Sequence, residues 1–433
     1  MFGSEQEESS PQNIINMHFD HQHHQTTITS PSVHMRQLLI SCAEHISRCD
    51  FYGAHRLINI LSANSSPCGD STERLVHQFS KALSLRLHSF ADTSTITSGS
   101  TSNLVIPSLL TPKISPALPS SAGSGSGSST QQVFDDESVV QSAYLSLNQI
   151  TPFIRFTHLT ANQAILESVE GHHAIHILDF NIMHGVQWPP LMQAMAEKFP
   201  PPMLRITGTG DNLTILRRTG DRLAKFAHTL GLRFQFHPVL LLENEESSIS
   251  SFFASFAAYL QPDETLAVNC VLYLHRLSRE RLSLFLHQIK ALNPRVLTLA
   301  EREANHNLPI FLQRFVEALD HYTALFDSLE ATLPPNSRQR IEVEQIWFGR
   351  EIADIIASEG ETRRERHERF RAWELMLRGS GFHNLALSPF ALSQAKLLLR
   401  LHYPSEGYKL HILNDSFFLG WQNQHLFSVS SWH

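Results

Sequence analysis

The sequence predicts an α/β fold centred on a mostly parallel, Rossmann-like sheet of the methyltransferase type. Three observations predict it. Between Gly171 and Ala300, short apolar runs alternate with helical patterns across short connections, as in parallel strands covered by helices on both faces. Near the C-terminus, three aromatic and β-branched runs follow one another with no helix between them, which adds an antiparallel hairpin to the sheet. Hydrophobic residues make up 42% of the chain, enough for a sizeable core.

Residues 1–32 are polar and rich in Gln, His, Ser and Thr. They lack the apolar area that offsets ordering entropy, so a disordered tail is expected, with His21, His23 and His24 in it as composition, not as a metal site. Order is expected from Val33. Leu38, Leu39, Cys42, Ala43, Ile46 and Cys49 recur at helical spacing, and Ala54, Leu57, Ile58 and Leu61 continue on a second helix. Asp70 followed by Glu73 reads as a helix N-cap with its reciprocal acid, opening a third helix with Leu75, Val76, Phe79, Leu83 and Leu87 on one side. Residues 91–132 are dominated by Ser, Thr, Gly and Pro and predict a disordered insertion, after which helices near 136–150 and 160–170 complete the same bundle.

The strands follow. His173 to Phe180 is the first, ending on Asp179. Pro189 and Pro190 open a helix bearing Leu191, Met192, Met195 and Phe199, because proline is tolerated in a first helical turn. Leu204–Thr207, Leu232–Val239, Glu264–Cys270 and Arg295–Ala300 are the next four strands. Asp221–Leu230 reads as a helix closed by Gly231, and Leu282, Phe285, Leu286 and Ile289 mark another. Residues 308–402 read as helices, and Tyr408–Leu413, Phe417–Trp421 and Leu426–Trp432 as the final strands. Phe417, Phe418, Trp421, Phe427 and Trp432 alternate with polar residues, the pattern of a packed sheet.

Composition limits the function. Lys plus Arg total 34 against 41 Asp plus Glu, a net charge of −7, so the basic excess of a compact nucleic-acid binder is missing. No helix-turn-helix, zinc-finger or basic-zipper pattern is visible. Four scattered cysteines are too few for a disulfide framework, and none forms the C-x-x-C pair of a zinc or redox site, which fits reduced thiols in a cytosolic or nuclear home. Glu5, Glu7 and Glu8 occupy the region where a secretory leader would be basic, and no run approaches the apolar length of a membrane span.

Ligands of open α/β sheets bind at the carboxyl ends of the strands, which singles out Asp179. A cofactor-binding methyltransferase would follow it with a glycine-rich turn. Here the chain runs Asn181, Ile182, Met183, His184, Gly185, with one glycine, and the second strand ends in Thr207–Gly210 where a ribose-gripping acid is wanted. Two roles are open for Asp179, cofactor contact or hydrogen bonds that fix the adjacent loop, and the damaged turn favours the second. No phosphate loop, nucleophile elbow or H-E-x-x-H is present. His172, His173 and His176 read as core or surface histidines. Arg363, Arg364, Arg366, Arg369 and Arg371 interleave with Glu359, Glu361, Glu365 and Glu368, which reads as ion pairing along a solvated helix.

Several motifs in order give a resemblance. I-H-I-L-D-F at 175–180, H-G-V-Q-W-P-P-L at 184–191, L-R-I-T-G-T-G at 204–210, A-E-R-E-A-N-H-N at 300–307, A-L-F-D-S-L-E at 324–330, R-R-E-R-H-E at 363–368, L-G-W-Q at 419–422 and S-S-W at 430–432 resemble the signatures of the plant GRAS family of transcriptional regulators. R-Q-L-L-I-S-C-A-E, G-D-S-T-E-R-L-V-H-Q-F and the stretch from Ser388 to Tyr408 resemble its Lateral suppressor type. The resemblance implies a GRAS domain over 33–433, divided into a first leucine-rich region at 33–90, a VHIID-like region at 133–210, a second leucine-rich region at 220–252, a PFYRE-like region at 262–354 and a SAW-like region at 357–433. It further implies an α-helical cap, formed by the first leucine-rich region and an insertion after the fifth strand, on the Rossmann-like core.

The resemblance also implies a nuclear regulator of axillary meristem formation and shoot branching. Its partners would be other transcription factors and GRAS proteins, a dimer among the options, with DNA reached indirectly and without an enzyme's cofactor or metal. The site residues it marks are Ile175, His176, Ile177, Leu178 and Asp179 of the VHIID-like motif, and Gly420, Trp421, Ser430, Ser431 and Trp432 of the SAW-like region. Leu38, Leu39, Ile46, Leu57 and Leu61, with Leu223, Phe226 and Leu230, are the candidates for partner contact, against the alternative that they pack on their own domain. Two rival functions stay in view: an S-adenosylmethionine-dependent methyltransferase, and a direct sequence-specific DNA-binding factor.

Overall fold

The computed structural model describes residues 31–96, 129–241 and 246–433. The expected disordered tail and most of the expected insertion lie outside the described residues. At the edges of both the helices reach further than expected: α1 begins at Pro31, α3 runs to Ile96 and α4 starts at Ser129.

The cap comes first in the chain. Helices α1 (Pro31–Ser47), α2 (Phe51–Ala63) and α3 (Ser71–Ile96) are followed by α4 (Ser129–Ile150) and α5 (Pro152–Ser168). Asp50 caps α2 by accepting from Gly53 N. The expected cap of α3 is reciprocal: Asp70 Oδ1 accepts from Glu73 N (2.8 Å) and Glu73 Oε2 from Asp70 N (3.0 Å). Asp70→Ala is therefore expected to cost about 1 kcal/mol, read as a lower urea midpoint. The second part of the cap lies between the fifth strand, β5 (Val296–Arg302), and the late hairpin, as α10 (Phe311–Thr332), α11 (Arg338–Glu342), a wider π-type turn (Val343–Phe348) and α12 (Gly349–Ala357). Arg74 of α3 and Glu344 of that turn, both buried, join the two parts (2.7 Å).

The sheet has the order β3-β2-β1-β4-β5-β9-β8-β7. Strands β1 (Ala174–Phe180), β2 (Met203–Gly210), β3 (Phe234–Leu240), β4 (Thr265–Val271) and β5 (Val296–Arg302) are parallel. β9 (Gln424–Trp432) enters antiparallel beside β5, then β8 (Ser416–Trp421) and β7 (Tyr408–Leu413). The order reverses between β1 and β4, so these strands flank the switch point. α6 (Trp188–Ala196) and α7 (Leu213–Thr229) cover one face through Ile175, Ile177, Leu204 and Ile206. α8 (Glu246–Tyr259), α9 (Arg279–Ala291) and α13 (Phe370–Gly379) cover the other through Leu178, Phe180, Val268 and Leu299. A two-residue strand, β6 (Asn384–Leu385), pairs with β9, and α14 (Pro389–His402) packs beside α5.

Three sequence expectations need correction. α7 starts at Leu213, eight residues before the expected Asp221, because Asn212 caps it by accepting from Thr214 N and Ile215 N. β2 runs three residues past the expected Thr207, to Gly210, with Thr209 and Gly210 in register with Val239 and Leu240. The arginine-rich stretch 363–369 is not a helix; it runs extended between a 3-10 turn at Gly360–Thr362 and α13.

The cap shares one apolar core with the carboxyl end of the sheet. Val271, Leu272 and Ala300 at the ends of β4 and β5 pack in the same cluster as Leu39, Phe79, Phe153, Tyr322 and Ile352. The edge at which open α/β sheets hold ligands is the edge on which the cap sits. Among the described residues, no helix is long and apolar enough to cross a membrane.

Candidate functional site

Register builds a polar row across the switch point. Asp179 of β1 stands beside Gly208 of β2 and Asn269 of β4, and Asn269 beside Thr298 of β5. The row is buried. Asp179 Oδ1 accepts from Asn269 Nδ2 (2.8 Å) and Oδ2 from Trp188 Nε1 (2.8 Å). Gln187 Nε2 donates to Asn269 Oδ1 (3.1 Å) and to Asn162 Oδ1 of α5 (3.1 Å), and Thr298 Oγ1 donates to Asn269 Oδ1 (2.8 Å). Burial pushes the Asp179 carboxyl up to about 7 despite the two hydrogen bonds it accepts. Burial also raises the Tyr144 phenol on α4, which lies close enough to feel the Asp179 charge.

The loop after β1 is folded down where a glycine-rich turn would open toward a ligand. Ile182 covers Gly208, where an added Cβ would sit 2.8 Å from Ile182 Cδ1. Asn181 and Met183 take left-handed backbone angles, and so does Gly185, whose Cβ would meet Thr219 Cγ2 at 2.8 Å. α7 pins this loop: Thr219 Oγ1 donates to the Met183 carbonyl (3.0 Å) and Arg222 to the His184 carbonyl (2.7 Å). The crevice is thus occupied by the protein's own side chains. Asp179 positions the start of α6 and the loop before it.

The other VHIID-like residues divide between the two faces of β1. Ile175 and Ile177 share the Asp179 side, and His176 and Leu178 point the other way. His176 is fully buried between Thr207 Oγ1 (2.9 Å) and Glu264 Oε2 (3.1 Å); burial outweighs the pull of Glu264 and lowers its imidazole to about 4. In the SAW-like region, Gly420 lies at a bulge against the Gln424 carbonyl, and Trp421 packs edge-on to Tyr408. Ser430 Oγ accepts from Trp432 Nε1 (2.8 Å), and Ser431 Oγ donates to the Leu385 carbonyl (2.9 Å), so these residues pin the last strand to β6 and α13.

Of the leucine candidates, Leu39, Ile46, Leu61 and Leu223 are buried in the core and carry packing within this chain. Leu38, Leu57, Phe226 and Leu230 are half-buried at its margin. The two leucine regions do not form one site, since the first packs in the cap and the second on the sheet face beneath α7.

Sequence reasoning missed a buried ionic cluster beside the switch point. Glu301 and Arg302 end β5, His275 follows β4, and His306, His321, Tyr322 and Glu351 come from the loop after β5, α10 and α12. The extended stretch 363–369 threads among them. His306 N donates to the His367 carbonyl (2.9 Å) and Arg366 N to the His275 carbonyl (3.1 Å). Arg363, Arg366 and His367 are buried, which corrects the solvated helix expected there. Burial would discharge His275, but Glu301 and Glu365 on either side hold it charged, up to about 9. The available signal was Glu301 and Arg302 at a strand's carboxyl end, the same positional rule that picked out Asp179.

The whole-chain similarities agree with this geometry. The GRAS domain family profile matches residues 35–433. Scarecrow-like protein 18 of Arabidopsis thaliana is 51% identical over 415 residues, covering 92% of this chain and 91% of that protein. Protein MONOCULM 1 of Oryza sativa subsp. japonica is 41% identical over 422 residues, covering 92% of this chain and 88% of that protein. The crystal structure of SCL7 from Oryza sativa superposes with a TM-score of 0.72 at 31% identity, covering 94% of this chain and all of that one. A Rossmann-like sheet with a filled ligand crevice under a helical cap, matched from residue 35 to the last, places the chain in the GRAS domain family of plant transcriptional regulators.

Proposed function

We propose that the protein is a nuclear transcriptional co-regulator that works by docking on other transcription factors and on GRAS proteins, and that it controls axillary meristem initiation and shoot branching. The observation that carries the reading is the occupied crevice. Asp179, Asn269, Gln187 and Asn162 satisfy one another where a nucleotide-type ligand would need free polar groups. The scaffold's own surface is then its working part. Similarity to MONOCULM 1 over nearly the whole chain supports the developmental assignment.

Within the leucine regions the half-buried residues are the ones within reach of a partner: Leu38 and Leu57 in the cap, Phe226 and Leu230 on α7. On α2, Tyr52 and Ile60 extend this apolar margin into solvent. Ile60→Glu, at an exposed position, is expected to abolish retention of nuclear partners in affinity purification while the melting temperature stays within about 1 °C of the parent, because exposed substitutions barely change stability. Equal loss of both would make the residue a packing element only.

At promoters, chromatin recruitment is expected only when a DNA-binding partner is present, with no gel shift by the purified protein. A salt-dependent, sequence-specific shift by the protein alone would replace this reading with direct DNA binding. Micromolar S-adenosylmethionine binding in calorimetry, lost in Asp179→Ala, would replace it with the methyltransferase reading.

A further inference from the structure

We propose that the free edge of β7 and the groove beside it take an extended acidic segment of a partner protein as an added β-strand, an assignment that rests on the docking function and gives it a surface distinct from the α2 margin. Among the described residues β7 pairs only with β8, so its other side is an open sheet edge. A strand at such an edge presents unpaired backbone groups that a further strand can use.

Register fixes which backbone groups are free. The Gly407 carbonyl accepts from Gln422 N, and Asn414 and Asp415, both left-handed, make the two-residue turn between Leu413 and Ser416. Both features place Gly407, Lys409, His411 and Leu413 in the pairs that exchange hydrogen bonds with β8. The N–H and C=O groups of Tyr408, Leu410 and Ile412 therefore point outward from the sheet edge.

The groove sets the chemistry of the occupant. α14 and the first half of β7 wall an open groove of about 610 Å³, with half-buried Leu399 and Leu410 as its apolar side. Lys396, Arg400 and Lys409 line it, all exposed, and none has an ion-pair partner among the described residues. Glu406 is the one acid among the described residues of the lining. Lys396 and Arg400 share a face of α14, one helical turn apart. In a chain of net charge −7, unpaired cations gathered in one groove call for an acidic occupant.

Lys409 alone would read as the charge that guards an edge strand against stray pairing. Lys396 and Arg400 come from a helix and guard no edge, so recognition is the better account of the three together. A peptide fits better than a nucleic acid, because outward N–H and C=O groups repeat along β7 with the period of a strand and an apolar wall lies beside them. Ile412 and Leu413, both exposed, continue the apolar surface on the two faces of β7, where alternate side chains of an added strand would lie.

The probe is an acetylated and amidated peptide of alternating Glu and Val, about eight residues long, an ordinary strand length. It is expected to bind the full chain with a Kd of about 10–100 μM at low salt and to weaken as salt screens the cations. On binding, hydrogen exchange should slow at the amides of Tyr408, Leu410 and Ile412 and stay unchanged at Lys409, His411 and Leu413. The double variant Arg400→Glu with Lys409→Glu, at exposed positions that keep the melting temperature near the parent's, should weaken the peptide at least about tenfold. Ile412→Pro removes only an outward N–H and should weaken it about fivefold, whereas Ile412→Thr should not. The same peptide N-methylated throughout keeps its charge, loses its backbone donors and should not bind. No saturable binding up to ~1 mM peptide overturns the site, and so does binding that the double variant or N-methylation leaves unaltered. Three results would give the edge to another occupant and overturn the proposal. They are tighter binding of a single-stranded oligonucleotide of equal charge, a dimer in sedimentation that Ile412→Pro dissociates, and a roughly tenfold gain in peptide affinity when Glu5→Gln, Glu7→Gln and Glu8→Gln neutralise the chain's own acidic start. Loss of this edge site leaves the Ile60→Glu result standing, so the two readings fail separately.

Discussion

Arg302→Ala is expected to remove about 3–5 kcal/mol of stability, a large part of the roughly 5–15 kcal/mol that holds a typical domain together. Arg302 is the last residue of β5 and is buried where the sheet meets the cap. Its guanidinium reaches Glu351 of α12 (2.6 Å) and lies over the rings of Phe348 and Phe427. Glu351 takes its second hydrogen bond from Tyr322 of α10 (2.9 Å). Truncating the arginine leaves a buried carboxylate with one neutral donor, and desolvation without a counter-charge is the expensive half of any buried pair. Glu351→Gln is milder, because the amide still accepts from Tyr322. The pair of substitutions Arg302→Met and Glu351→Gln is expected to recover at least half of the loss, since it removes both charges and keeps the volume. Urea unfolding of the three variants measures this. A loss below about 1 kcal/mol for Arg302→Ala would mean that the cap is held by apolar packing alone.

The same cluster shows where sequence reading succeeds and fails. Each parallel strand was legible because its apolar run is short and bounded by turn residues, and the late hairpin because its aromatics alternate. The capping box of α3 was legible because both partners lie within four residues. The stretch 363–369 misled because alternating Arg and Glu looks the same on a solvated helix as on an extended segment several of whose charges find distant partners. Glu365 meets His275, and Arg366 NH1 donates to the Arg276 carbonyl, both about ninety positions earlier. No local spacing rule contains those partners. α8 escaped because its stretch of Ser, Phe and Ala offers little amphipathic contrast, and β6 because two residues carry no period. Asp179 was legible from position alone, whereas its role as the centre of a closed hydrogen-bonded row depended on Gln187 and Asn269 arriving from other elements.

Mild acid is expected to destabilise the fold steeply, because buried neutral histidines outnumber the carboxyls that favour protonation. His176, His306, His321 and His367 are fully buried, and burial lowers all four imidazoles, to about 4 for His176 and about 3 for His306. A group whose pKa is lowered by folding holds its proton only in the unfolded chain, so each of these contributes stability above pH ~6.5 that is lost as the pH falls. Asp179 and Glu303 act in the opposite sense. Burial raises both to about 7, so each keeps a proton in the native state that the unfolded chain releases. Near pH 5.5 the unfolded chain therefore holds nearly four extra protons on imidazoles, and the native chain about two on carboxyls. The difference of about two protons corresponds to roughly 2 kcal/mol lost per pH unit between about pH 6 and 5. Thermal melts across pH 5 to 8 should show a maximum near pH ~6.5, a fall below pH ~6, and a shallower fall above pH ~7, where His275, held charged to about 9, and the raised Asp179 and Glu303 carboxyls keep protons that the unfolded chain releases. His321→Phe should flatten the fall below pH ~6 by about a half, since it takes one proton from a net difference of about two, and both ring nitrogens of His321 lack hydrogen-bond partners among the described residues, so the substitution breaks none. Asp179→Asn should steepen it, because the carboxyl that gains from protonation is gone. A melting temperature that rises between pH 6 and 5 would mean that Asp179 and Glu303 outweigh the histidines, and that the imidazoles reach water in the native state.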